Sequence, residues 1–318
     1  WLAGFWFQFS SNILMSAFCW RRLLSPQTAL IATAAFKGQR RQSKHSISGV
    51  TVADGTHFVQ KAVKLDPMIQ NRKDFAQVTL MKQLFALAES RTTDRVVLIL
   101  RHSARGPIPP NPTGEQIMAV PLTEAGEREA EEFGISLRQH GLGEGSTSVQ
   151  WMQPMTSSVD RCLRTVEAII RGAGVKTDPP LQDDILKKGN QSDGRQAWKE
   201  AQRFNLQMGE IVDRLAVGEN VPGYWSLAEN AARFRAHFGF DSNTSAGPQG
   251  ERMELLVACT HDLQLASIVR HFFPDKAVWP AFLEGALWWQ EDGKDYFFYD
   301  SVLIAKACVC RRNDKSLK

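Results

Sequence analysis

The sequence predicts an α/β fold, namely a three-layer α/β/α sandwich around a mainly parallel central sheet. Short apolar runs alternate with helix-like segments along the chain, from "VVLIL" at residues 96–100 to "ELLVAC" at residues 254–259. Such alternation is typical of β-α-β units, in which the strands run parallel and helices cover both faces of the sheet. Polar and charged residues directly follow these runs, and ligands in such folds bind beyond the carboxyl ends of the strands.

The first half of this pattern begins with helical periodicity over residues 54–93, interrupted at Pro67, which predicts one or two helices leading into the core. "LTEAGEREAEEFGISLRQHG" predicts a helix with Thr123 as its N-cap, because threonine favours that position and acidic residues fill the early turns. "STSVQWMQP" predicts the next strand. "SSVDRCLRTVEAIIRGAG" then predicts a second helix, capped by Ser157 or Ser158.

The second half continues the alternation. "VKTDPPLQDDI" predicts a short strand followed by a loop, and residues 194–240 are predicted to be mostly helical. "ELLVACTHD" predicts a strand that runs into a loop, and "LQLASIVRHFF" predicts a helix. "ALWWQEDGKDYFFYDSVLI" predicts a hairpin or strand pair around Asp292-Gly293, since Asp-Gly is a favoured two-residue hairpin turn.

The charge of the chain is distributed unevenly. The net charge is +4, and residues 1–53 contain six basic residues and no acidic residue. Subtracting those six charges from +4 leaves residues 54–318 at −2, so no nucleic-acid partner is predicted. The cysteines number five, and an odd count does not predict a disulfide framework. We interpret Cys162 and Cys259 as small core residues.

Reactive and cationic side chains lie in three places, each at or just after the end of a predicted strand. They are Arg101, His102 and Arg105 in the first place, Arg161 in the second, and His261 with Asp262 in the third. Guanidinium groups packed closely repel one another unless an anion lies among them, and their planar fork suits bidentate binding of phosphate. Arg161 is also predicted in the first turn of a helix, where free N–H groups favour an anion. The sequence therefore predicts one anion-binding pocket.

Four motifs resemble those of the histidine phosphatase superfamily, which includes phosphoglycerate mutases and histidine acid phosphatases. "RHSARGP" at residues 101–107 resembles R-H-G-x-R-x-P, and "THDLQL" at residues 260–265 resembles an H-D motif, both of the acid phosphatase branch. "SSVDRCLRTVEAI" resembles the S-x-x-x-R helix at Ser157 and Arg161, and "LTEAGEREA" resembles a helix opening in the mutase-like branch. The resemblance covers roughly residues 94–305.

The resemblance implies a phosphoglycerate mutase-like fold and an enzyme whose nucleophile is His102. Its neutral imidazole attacks phosphorus and forms a phosphohistidine intermediate. By the same resemblance, Arg101, Arg105 and Arg161 hold the phosphoryl oxygens, and His261 adds a further hydrogen bond. No metal and no cofactor are implied, because the arginines supply the positive charge. The implied substrate is a phosphorylated small molecule or a phosphoprotein.

The sequence departs from the superfamily pattern at Ser103, where the motif has glycine with its greater backbone freedom. The identity of the general acid stays open between two aspartates. Asp262 is the candidate by resemblance to the acid phosphatase branch. "PPLQDDI" resembles a segment of the mutase-like branch and points to Asp183, for which a solvated turn is the structural alternative.

Three alternatives to a metal-independent phosphatase also stay open. They are a mutase-like phosphotransferase, a non-catalytic relative that binds a phosphate-bearing partner, and a metal-dependent phosphohydrolase of the H-D type. The acid phosphatase form of the first and last motifs favours hydrolysis. The chain has seven histidines, and their spacing shows no further set of metal ligands.

The chain is predicted to have four parts: a targeting, anchoring or disordered extension at residues 1–53, a helical lead-in at 54–93, a catalytic domain at 94–310 and a tail at 311–318. The extension opens with "WLAGFWFQFSSNILMSAFCW" before its first charge, a length that can span a membrane. Acid-poor sequence with arginine and serine follows, as in organelle transit peptides. A cytoplasmic and an organellar location both stay open, with membrane contact only through residues 1–22.

Overall fold

The computed structural model of the protein describes residues 67–240, 251–276 and 278–307. The predictions for residues 1–53, for residues 54–66 of the lead-in and for the tail therefore lie outside the described residues. Of the helices in the described ranges, none is both long and apolar enough to span a membrane.

The described strands form one mixed sheet of eight strands. They are β1 (Arg95–Arg101), β2 (Val149–Trp151), β3 (Met155–Thr156), β4 (Leu181–Gln182), β5 (Met253–Thr260), β6 (Gly285–Glu291), β7 (Lys294–Tyr299) and β8 (Val302–Ala307). The order across the sheet is β4-β3-β5-β1-β6-β7-β8. β2 pairs with the first residues of β5, and β3 pairs with residues near its end. The pairings among β1 to β5 are parallel, whereas β6, β7 and β8 add antiparallel pairings. The residues of the predicted pocket come at or after the ends of β1, β3 and β5, which all lie in the parallel half of the sheet.

Helices cover both faces of this sheet. They are α1 (Pro67–Ser90), α2 (Gly114–Ala119), α3 (Glu124–Gln139), α4 (Asp160–Ala173), α5 (Ile185–Lys188), α6 (Gly194–Arg203), α7 (Met208–Ala216), α8 (Leu227–His237) and α9 (Asp262–Phe272). Along β1, Leu98 and Leu100 face a cluster built with α1, α3 and α4, while Val97 and Ile99 face a second cluster built with α5, α8 and α9. A strand alternates its side chains between faces, so this division confirms the three-layer α/β/α sandwich.

The starts of the helices can be compared with the prediction. Pro67 is the first residue of α1, a position that suits proline because a first helical residue leaves its N–H unpaired anyway, so the predicted interruption at Pro67 coincides with a helix start. The prediction that Ser157 or Ser158 caps α4 is wrong, since the N-cap is Val159 and makes no side-chain capping bond. By contrast, Thr123 caps α3 as predicted and accepts the N–H of Gly126.

The predicted hairpin is confirmed, and a third strand follows it. β6 and β7 pair around Asp292-Gly293, and both turn residues have positive φ, 50° and 67°. A second turn at Asp300-Ser301 also has positive φ at both residues, 48° and 65°, and leads into β8. This second turn contains no glycine, so no clear turn signal in the sequence predicts β8. Because β6 lies antiparallel beside β1, the sheet is mixed across its width.

Candidate active site

The sheet register brings the three predicted places together. β1 pairs with β5 so that Arg101 lies opposite Thr260, and the N–H of His102 donates to the Thr260 carbonyl at 3.0 Å. β3 also pairs with β5, and the N–H of Ser157 donates to the Cys259 carbonyl at 3.0 Å. The residues that follow these three strands therefore meet at one edge of the sheet.

His102 is held as a neutral imidazole with one defined tautomer. Its Nδ1 lies 2.8 Å from the Ser103 carbonyl oxygen, and since a carbonyl can only accept, Nδ1 carries the proton. The Nε2 lone pair then accepts the Nε–H of Arg161 at 3.0 Å. Burial, followed by the neighbouring His261, Arg161 and Arg101, holds the pKa of His102 well below its usual value. The side chain is thus in the protonation state that a nucleophile requires.

Arg161 connects the parts of the site. It is the second residue of α4, as predicted for the first turn, and is only 3% exposed. Besides its bond to His102, its Nη2 lies 3.2 Å from Nδ1 of His261. Its Nη1 donates to the carbonyls of Ile117 and Met118 at 3.0 and 3.1 Å. One guanidinium therefore contacts both histidines and the last turn of α2.

His261 completes the opposite side of the pocket. Its ring centroid lies 5.4 Å from that of His102. Because Arg161 can only donate, Nδ1 of His261 accepts, and Nε2 is left to donate to the hydroxyl of Ser157 at 2.9 Å. This bond explains why Ser157 does not cap α4. The spacing of Ser157 and Arg161 was visible in the sequence, but the partner of the serine, 104 residues away, was not.

Arg101 points into the same site and is paired with Asp262. Its Nη2 lies 2.9 Å from Oδ2 of Asp262, and its Nη1 donates to the Pro280 carbonyl. The guanidinium carbon lies 4.2 Å from the centroid of the Phe282 ring, which is itself 5.7 Å from the ring of His102. Sequence reasoning missed Pro280 and Phe282, because no motif marks the loop before β6.

Arg105 is the most accessible of the three arginines. Its backbone bridges to Leu122, and its Nη1 donates to the Gly106 carbonyl at 3.1 Å. Burial lowers the pKa of Arg105, and the nearby Asp262 opposes that shift. Arg105 in turn lowers the pKa of Arg101 and of Arg161, so its charge is felt at both other guanidiniums. All three predicted arginines thus contribute to one positive field.

The two candidate acids have different surroundings. Asp262 opens α9, has a side chain 26% exposed, and contacts Arg101. Asp183 follows β4; its Oδ1 accepts the N–H of Ile185 at 2.7 Å, and its Oδ2 lies 3.4 Å from Nε2 of His237. The contacts of Asp262 are thus to the arginine cluster, whereas those of Asp183 are to α5 and α8.

Two buried groups lie beside the histidines. The Cys162 sulfur is 3.7 Å from Nε2 of His261. Burial alone would raise the pKa of Cys162, but its contacts with Cys259, His261 and Arg161 outweigh burial and lower that pKa. Ser103 donates its N–H to the Thr165 hydroxyl at 3.1 Å. The Ser103 hydroxyl is fully buried and has no hydrogen-bond partner among the described residues.

The fold and these side chains define an α/β protein with a histidine–arginine site at the carboxyl ends of parallel strands. Neither a protein-family model nor a curated protein matches the sequence. Similar solved structures include three at low identity: YhfR of Bacillus stearothermophilus (17% identity, TM-score 0.42, 65% of this chain and 96% of that one), a phosphoglycerate mutase of Bacillus anthracis (13%, 0.38, 69% and 94%) and a mycobacterial glucosyl-3-phosphoglycerate phosphatase (13%, 0.43, 67% and 96%). The chemistry of this chain depends on its own side chains.

Proposed function

We propose that this protein is a metal-independent phosphatase of the histidine phosphatase type, which hydrolyses phosphate monoesters through a phosphohistidine on His102. The observation that carries the proposal is the state of that imidazole. Its Nδ1–H donates to the Ser103 carbonyl, and its Nε2 lone pair faces the guanidinium of Arg161. A neutral nucleophile beside cationic donors suits attack on an anionic phosphoryl group.

In the first half-reaction, the phosphoryl oxygens accept hydrogen bonds from the arginines in place of the present acceptors. Arg161 then releases the lone pair of His102, and Nε2 attacks phosphorus as the bond to the leaving oxygen breaks. Guanidiniums from Arg101, Arg105 and Arg161 stabilise the charge on the equatorial oxygens. The ring of His261, held by Ser157, lies beside these groups.

Asp262 is our candidate for the proton transfers. Its carboxylate contacts Arg101 and therefore lies beside the place proposed for the phosphoryl group. Protonated Asp262 gives its proton to the leaving oxygen in the first step. In the second step its carboxylate takes a proton from water, the water oxygen attacks phosphorus, and the bond between nitrogen and phosphorus breaks. Asp183 is the less favoured candidate because its carboxylate is engaged by α5 and His237.

The test is hydrolysis of p-nitrophenyl phosphate by the full chain, with a chelator present throughout. Activity that resists the chelator and disappears in His102→Ala is the expected result. The control is His140→Ala, a change at the far end of α3 that is expected to leave the rate unaltered. Activity that persists in His102→Ala, or that the chelator removes, contradicts the proposal.

A further inference from the structure

We infer that Phe282 and Met118 form an apolar clamp at the mouth of the site, which selects phosphate monoesters with an aromatic leaving group. The inference rests on the proposed function and names the substrate class of the same site. The name "clamp" covers these two side chains only. Neither residue belongs to a motif that the sequence resemblance supplies.

The two side chains of the clamp are more exposed to solvent than the residues of the phosphoryl site that they contact. His102, Arg101 and Arg161 are buried, with 1%, 7% and 3% of their surface exposed. Met118 is 38% exposed and Phe282 is partly exposed. Both touch the buried arginines directly, so they lie between the phosphoryl site and solvent. A leaving group that extends outward from a phosphoryl group on His102 passes along them.

Phe282 is fixed from two sides. Its ring packs on the guanidinium of Arg101, a cation–π contact at 4.2 Å, and lies 5.7 Å from the ring of His102. The buried carboxylate of Glu284 accepts the N–H of Ala281 at 2.6 Å and the hydroxyl of Tyr299 at 2.6 Å. These bonds hold the backbone on either side of Phe282, so its ring is in place before a substrate binds.

Met118 is fixed by its contacts with Arg161. Its sulfur lies 3.9 Å from Nη2 of Arg161, and its carbonyl accepts from Nη1 of the same guanidinium. The opposite end of α2 is closed by a capping box between Thr113 and Gln116. Gly114 packs there against the ring of Trp198, where a Cβ would lie 3.6 Å away. The short helix α2 therefore presents Met118 from a held position.

The chemistry of the clamp separates two kinds of leaving group. A phenyl ring and a thioether both make favourable contacts with an aromatic ring. Phe282 offers no hydrogen bond and the Met118 thioether is only a weak acceptor, so a hydroxylated aliphatic leaving group loses contacts with water and gains little in return. Aromatic contacts of this kind correspond to about 3- to 10-fold in kcat/KM.

The experiment compares O-phospho-L-tyrosine with O-phospho-L-serine as substrates of the wild type and of the variants Phe282→Ala, Phe282→Leu, Phe282→Tyr and Met118→Ala. The leaving groups differ in intrinsic reactivity, but that difference is the same for every variant. The informative quantity is therefore the change in the ratio of the two kcat/KM values. Phe75→Ala is the matched control, because Phe75 is 64% exposed on α1.

We expect this ratio to fall about 3- to 10-fold in Phe282→Ala and to fall in Met118→Ala, while Phe282→Tyr and the control keep it. Phe282→Leu preserves apolar volume without the ring and serves if the alanine variant does not fold. A ratio unchanged in both Phe282→Leu and Met118→Ala overturns the clamp and leaves the phosphatase intact. Turnover lost equally for both substrates is a consequence of moving Arg101, and it also contradicts selection by the clamp.

A binding measurement keeps the clamp testable if the wild type hydrolyses neither substrate, which would count against the proposed function. Calorimetric titration with phenylphosphonate and with 2-hydroxyethylphosphonate needs no turnover. The clamp predicts tighter binding of phenylphosphonate to the wild type and loss of that preference in Phe282→Leu. Equal affinities of the wild type for the two phosphonates overturn it.

Discussion

Replacing Arg161 by alanine removes the contacts that join the two halves of the site. The lost bonds are Nε to Nε2 of His102 and Nη2 to Nδ1 of His261, together with those from Nη1 to the carbonyls of α2. Losing one preorganised donor to a transition-state oxygen costs about 10²- to 10³-fold in rate. Arg161 directs two nitrogen atoms at the site, so we expect kcat/KM to fall by about 10³-fold or more.

The same substitution has a smaller effect on folding. The carbonyls of Ile117 and Met118 belong to α2, which buries none of its side chains, so water can replace the guanidinium there. We expect the free energy of unfolding to decrease by about 1.5–3 kcal/mol, the range for hydrogen bonds to a charged group. Steady-state kinetics with p-nitrophenyl phosphate and urea denaturation measure the two effects separately.

Arg164→Ala is the control for this prediction. Arg164 lies on the same helix, is 56% exposed at its side chain and pairs with Asp160 at 3.0 Å. We expect this variant to keep nearly wild-type kinetics, since exposed ion pairs contribute little. If Arg161→Ala and Arg164→Ala had the same kcat/KM, the role given to the Arg161 guanidinium would be refuted.

Three further predictions concern single side chains. Asp262→Asn should slow steady-state turnover of p-nitrophenyl phosphate far more than Asp183→Asn, and the reverse order would assign the acid to Asp183. Burial, followed by Lys306, lowers the pKa of His271 to about 4. The unfolded chain therefore binds a proton that the folded chain does not, and this histidine should lower the free energy of unfolding by about 2 kcal/mol between pH 8 and pH 5. Urea denaturation at both pH values should show a smaller decrease in His271→Gln, and an unchanged decrease would contradict the assignment. Ser103→Ala removes a buried hydroxyl without a partner among the described residues, so the free energy of unfolding should increase by about 1 kcal/mol. Calorimetry should therefore show a higher Tm, and a lower Tm would mean that the hydroxyl is paired.

Sequence reasoning could predict that these side chains lie together because parallel strands end at a common edge. Arg101, His102 and His261 directly follow runs that are apolar enough to be recognised as buried strands, and the register of β1 against β5 then places them together. Arg161 was found for a similar reason, since its place in the first turn of α4 is implied by the motif spacing. These signals are local, so they can be recognised in a single sequence.

Long-range contacts without a motif were not predictable. Phe282 reaches Arg101 from the loop before β6, far along the chain, and nothing in its neighbours marks it. Ser157 looked like a helix cap because its hydroxyl partner, His261, is close only in the folded chain. The choice between Asp262 and Asp183 also depends on which side chains surround each carboxylate, and those surroundings are set by packing rather than by sequence pattern.

The most direct test of the account is to trap the intermediate. Asp262→Asn mixed with p-nitrophenyl phosphate should still release the good leaving group but should activate water slowly, so the phosphorylated enzyme should accumulate. Digestion under alkaline conditions and mass spectrometry should then find one phosphoryl group on the peptide that contains His102, and acid should remove it. A phosphoryl group on another residue, or turnover in the wild type and in Asp262→Asn with none on His102, would contradict the central claim.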